Sequence, residues 1–91
     1  MASLAPYAVL LRLLIDGRVT GEEFEGMFLP FYKNDATSWS TEIFDVLDGF
    51  FADVDDFCAD PALRAEVGGL DEAELRRRAE IAFERLAELA G

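Results

Sequence analysis

Between Glu42 and Cys58 the chain reads EIFDVLDGFFADVDDFC, and its apolar and acidic residues separate at a single period. At about 100° per residue, Val46, Phe57, Phe50, Ile43, Val54, Leu47, Cys58, Phe51 and Phe44 fall on one continuous arc. Glu42, Asp45, Asp48, Asp53, Asp55 and Asp56 fall on the other arc, with Gly49 and Ala52. The spacing predicts an amphipathic helix from roughly Thr41 to Cys58, greasy on one side and acidic on the other. The crowding of Asp53, Asp55 and Asp56 also raises a calcium loop. An EF-hand opened at Asp53 requires an oxygen ligand fifth, Gly sixth and Glu twelfth. Those positions hold Phe57, Cys58 and Arg64, and the loop fails.

The rest of the chain reads as helix too. A first helix is predicted from roughly Pro6 to Asp16, with Pro6 in its opening turn and Gly17 at its end. It is apolar over most of its circumference through Leu4, Val9, Leu10, Leu11, Leu13, Leu14 and Ile15. Thr20 with Glu23 forms a capping box, opening a second helix that carries Phe24, Met27, Phe28 and Phe31. Pro30 is expected to kink or shorten it, because the ring removes a backbone donor. KNDATSWS is a polar loop, with Ser38 or Ser40 as the next N-cap. ADPALRAEVGG reads as a break with room for one short turn at Asp60 and Pro61. Asp71 with Glu74 suggests another capping box before a last helix from about Glu72 to Leu89. Leu75, Ala79, Ala82, Phe83, Leu86 and Leu89 should face inward. Four helices with short loops predict an all-α protein, an antiparallel four-helix bundle forming one small domain over residues 1–91.

Charge narrows the function. The formal net charge is −11, and from Asp16 to Asp60 there are twelve acids against two bases, Arg18 and Lys33. Phosphates would be repelled, so direct nucleic-acid binding and anionic membranes are disfavoured and a basic protein partner is favoured. With no His and one Cys, zinc sites, histidine-based catalysis and an internal disulfide are not expected. MASLAPYAVLLRLLIDG lacks a positive n-region, and Arg12 interrupts it, so it is not expected to act as a signal peptide. These features point to a cytoplasmic protein without a cofactor, not an enzyme.

The acidic arc invites a functional reading because it works against its own helix. Glu42–Asp45, Asp45–Asp48 and Asp53–Asp56 are like-charge neighbours three apart, each costing roughly 0.2–0.5 kcal/mol. Asp55 and Asp56 lie where the helix dipole prefers cations. The bland alternative is a solvated face that maintains solubility. Trp39 either caps the bundle end or anchors an interface. Arg76, Arg77 and Arg78 point to different sides of the last helix, and Glu72, Glu74, Glu80 and Glu84 offer pairing at three or four residues, a solvated, salt-bridged face.

Three stretches, LLRLLIDGRVTGEEFEGMF, VLDGFFADVDDFCAD and GLDEAELRRRAEIAFERL, together resemble the immunity proteins of the colicin D type, the self-protective colicin-like immunity family. Pro30 and the KNDATSWS connection depart from the family pattern. The resemblance implies a four-helix bundle that inhibits a toxin nuclease, in the best-known case one cleaving tRNA in its anticodon loop. Acids would cover the toxin's basic cleft in place of RNA phosphates. Asp55 and Asp60 match acidic family positions. Asp48, Asp56 and Asp53 join them from the helical face, and Trp39 as an interface anchor. The expected partner is a cognate basic toxin nuclease domain, bound by a monomer. The alternative is an acidic helical adaptor or nucleic-acid mimic that binds a basic regulatory protein.

Overall fold

A computed structural model describes residues 3–90, which form five helices: α1 Ala5–Ile15, α2 Gly21–Lys33, α3 Thr41–Asp56, α4 Pro61–Val67 and α5 Glu72–Ala90. The protein is all-α. α1, α2, α3 and α5 are the four helices expected, and α4 stands where a break with room for a short turn at Asp60 and Pro61 was predicted, extended to seven residues.

The four long helices pack in a ring, α1 against α2, α2 against α3, α3 against α5 and α5 against α1. Adjacent helices run antiparallel, as short connections require. Tyr7 of α1 meets Phe31 near the end of α2. Tyr32 near that same end of α2 donates to Asp48 of α3, while Gly21 at its start lies against Phe57, just past the end of α3. Arg76 Nε donates to the Leu14 carbonyl at 2.8 Å, tying the start of α5 to the end of α1.

The core is largely aromatic. Phe28 lies at its centre, stacked on Phe24 and Tyr32 and edge-on to Phe50 and Tyr7. Leu11, Leu14, Leu47, Val54, Leu75, Ala79, Ala82 and Leu86 complete it. Of the inward-facing residues expected on α5, Leu75, Ala79, Ala82 and Leu86 are buried, while Phe83 and Leu89 are half-buried.

Pro30 does not shorten α2, which continues for one more turn to Lys33. Proline inside a helix costs about 3 kcal/mol. Against that, Phe31 packs on Tyr7, and Tyr32 packs on Phe28 and Phe51. Each such aromatic pair contributes about 0.5–1.5 kcal/mol beyond the area it buries. Asn34 then closes the turn, its backbone and side-chain N–H groups both donating to the Pro30 carbonyl.

α3 opens at Ser40, whose hydroxyl accepts from Ile43 N–H. It stops at Asp56, two residues short of the expected Cys58. Phe57 turns extended, with φ −66° and ψ 134°, and Asp56 and Cys58 exchange backbone hydrogen bonds with Leu70 at 3.0 Å. The Phe57 ring is thereby buried over Gly21, where a Cβ would lie 2.5 Å from the ring. Only glycine permits that closeness. The Gly21 N–H donates to Glu72, and Thr20 and Glu23 form the expected capping box. The second box is half made: Asp71 accepts from Glu74 N–H at 2.8 Å, but the Glu74 carboxylate turns to Arg77 and Arg78.

Candidate functional site

The outer faces of α2 and α3 carry Glu22, Glu23, Glu25, Glu42, Asp45, Asp48, Asp53, Asp55 and Asp56 against one base, Lys33. These acids differ in what holds them. Asp45, Asp55 and Asp56 are exposed, and no ion pair among the described residues engages them. Asp48 is exposed and accepts from the Tyr32 hydroxyl at 3.2 Å, which positions it without cancelling its charge.

Asp53 stands apart. It lies on the α5 edge of α3, half-buried, with Oδ1 2.7 Å from Arg78 Nη1. Burial pushes its carboxyl up, against the opposing pull of Arg78. Its charge is already spent within the fold. Asp60 follows α3 and serves as the N-cap of α4, accepting from Ala62 N–H at 2.9 Å and Leu63 N–H at 3.4 Å. It is exposed and unpaired with any base in the described residues.

Two acids absent from the sequence-derived set extend the field. Burial first, then repulsion from Glu22 and Asp55, pushes the Glu25 carboxyl above its ordinary value. Gly21 lies against the Phe57 ring, so the start of α2 and the end of α3 sit together, and Glu22, Glu25 and Asp55 share one acidic region. The signal was present in the three-residue spacing of Glu22 and Glu25, which places them on one side of α2, with Glu25 at the border of the buried stripe of Phe24 and Phe28. What the sequence did not reveal was that α2 would bring them beside Asp55.

Trp39 lies elsewhere. It precedes α3, whereas Asp55 is near its far end, roughly 24 Å away at 1.5 Å per residue. Its ring is half-buried edge-on to Tyr7, and its Nε1–H donates to Asp35 Oδ2 at 2.9 Å. The same oxygen accepts from the Tyr7 hydroxyl at 2.6 Å, and Oδ1 accepts from Thr37 N–H. Burial opposes ionisation of Asp35, but hydrogen bonds from Thr37, Tyr7 and Trp39 outweigh it and hold the carboxyl well below the usual range. Burial, reinforced by Asp35, pushes the Tyr7 hydroxyl up. Asp35 pins the loop to the bundle end.

This arrangement carries a pH signature. In the unfolded chain the Asp35 carboxyl titrates near 3.8, and in the folded protein lower. Its stabilisation is complete above that unfolded value and disappears as pH falls through the folded one. Asp35→Asn should cost about 1–3 kcal/mol at pH 7, the scale of hydrogen bonds to a charged group. The melting-temperature gap between wild type and variant should narrow below about pH 4.

The bases cluster on α5 and its seams. Arg76 pairs with Glu72, Arg77 with Glu74, and Arg78 with both Glu74 and Asp53. Hydrogen bonds from Arg77 and Arg78 hold the Glu74 carboxyl down at about 2. Arg12, over the Phe83 ring, pairs with Asp16. Among the described residues no cluster of His, Cys, Asp or Glu could hold a metal ion, and no helix is long and apolar enough to cross a membrane.

Compared with known families, residues 2–86 match the bacterial self-protective colicin-like immunity family. The chain belongs to that family. No curated protein and no solved structure matches it. As an immunity protein it protects against a bacterial toxin of the colicin type. The α2–α3 face is thus predominantly acidic, with Lys33 its one base, beside an α5 whose charges are largely paired with one another.

Proposed function

We propose that the toxin neutralised by this immunity protein is a nuclease, in particular a ribonuclease acting on tRNA, and that the α2–α3 face covers its basic active-site surface in the producer's cytoplasm. The observation that carries this reading is the distribution of unpaired charge. Among the described residues, Asp45, Asp55, Asp56, Glu22 and Glu25 have no basic partner, while Arg12, Arg76, Arg77 and Arg78 are paired along α1 and α5. A nuclease must be basic where phosphates bind, so this face meets a complementary field. Asp55 and Asp60 would contact cationic or catalytic residues, with Asp48 and Asp56 beside them and Asp53 at the margin. Trp39 would reach a partner only at the far end of the same helix.

The test is co-expression with the candidate cognate toxin domain, followed by binding kinetics on the purified pair. Host survival and a one-to-one complex are expected. Association should slow by about tenfold or more from low salt to roughly 0.5 M, as screening removes the steering field. An association rate indifferent to salt would contradict charge complementarity.

A further inference from the structure

α4 is a helix with no other helix beneath it. None of its residues is buried, and it packs on none of the other described helices. Seven residues are too few to remain helical in water unaided. The ends hold it: Asp60 caps the first turn, Pro61 occupies the first helical position, and Gly68 closes it at φ 75°. Arg64 turns back and donates to the Cys58 carbonyl at 2.8 Å. The Cys58–Leu70 backbone hydrogen bond clamps the chain on either side.

What this framework displays is apolar. Leu63 is 48% exposed and Val67 68%, four residues apart on one face. Scattered apolar side chains on a surface need no explanation. A capped, unpacked helix that presents two of them side by side is a different case.

We propose that α4 is a second docking element for the toxin, with Leu63 and Val67 filling a shallow apolar depression bordered by Lys or Arg. The basic border follows from charge. Asp56 closes α3, Asp60 opens α4 and Glu66 lies exposed within it, while Arg64, the only base in the helix, is drawn inward. The apolar pair is thus continuous with the acidic face. The inference rests on the proposed toxin-binding role of that face. The two surfaces divide the work: acids accelerate encounter, and the buried apolar pair slows release.

The test uses the whole 91-residue chain and the purified cognate toxin domain. Leu63→Gln with Val67→Gln should weaken binding about ten- to a hundredfold, through faster dissociation. The loss should persist at high salt, and the melting temperature should not move. Leu63→Ala with Val67→Ala, which favours the helix, should show the same loss and guards against unfolding. If both pairs bind as wild type while Asp55→Asn with Asp60→Asn does not, α4 is no docking element and the acidic face stands. If all bind as wild type, the acidic-face reading falls, and this one with it. A dimer of the free protein that the α4 variants dissociate, with toxin binding unchanged, would assign the pair to a second copy and overturn the proposal.

Discussion

Replacing Asp55 and Asp60 together by Asn should weaken toxin binding by about a hundredfold or more and abolish protection, without unfolding the protein. Removing one member of a buried, hydrogen-bonded ion pair at an interface costs about 2–5 kcal/mol, much of it from stranding the partner's charge. The fold has little to lose. Asp55 is exposed near the C-terminal end of α3, where a negative charge opposes the helix dipole, so its neutralisation is neutral or slightly stabilising. Asn is as good an N-cap as Asp, so the hydrogen bonds that start α4 survive at position 60. Alanine there would confound loss of charge with loss of about 1 kcal/mol of capping. Glu80→Gln with Glu84→Gln, exposed on α5, is the control and should leave binding unchanged. Surface-plasmon kinetics with thermal melting separates the outcomes. Intact protection in a folded Asp55/Asp60 variant would remove these two residues from the interface.

The largest effect on stability is expected from Phe28→Ala. Phe28 is fully buried and contacts aromatic rings from α1, α2 and α3. Truncating a buried Phe costs about 3–5 kcal/mol, the transfer energy plus the cavity it leaves. Domains are stable by about 5–15 kcal/mol, and a chain of this size falls toward the lower end. The variant should be partly unfolded at 37 °C, with its urea midpoint lowered by more than half and protection lost for want of folded protein. A midpoint shifted only slightly would mean that the aromatic cluster closes over the gap, and the central role of Phe28 would be wrong.

These two variants also show what the sequence could reveal. Phe28 was legible because Phe24, Phe28 and Phe31 recur at helical spacing, and the acids of α3 because no acid enters the apolar arc. Periodicity reports a buried stripe, and where no stripe exists it reports nothing. α4 therefore read as a break with a short turn whose start Asp60 and Pro61 marked, and its length went unseen. Pro30 misled in the opposite direction, since local chemistry argues for a stop while the packing of Phe31 and Tyr32 holds the turn. Tyr7 lay outside the expected core because a phenol there requires an acceptor, and Asp35 supplies it from twenty-eight residues away. Pairings between helices were the least legible. Arg78 removes Asp53 from the free acids, and α2 adds Glu22 and Glu25, neither of which follows from spacing along one helix.

A structure of the immunity protein bound to its toxin domain tests the mechanism most directly. The carboxylates of Asp55, Asp56 and Asp60 should lie within ion-pair distance of toxin lysines or arginines, over the surface that otherwise receives phosphate. A complex in which the toxin grips α1 and α5 instead, with those three carboxylates open to solvent, would contradict it.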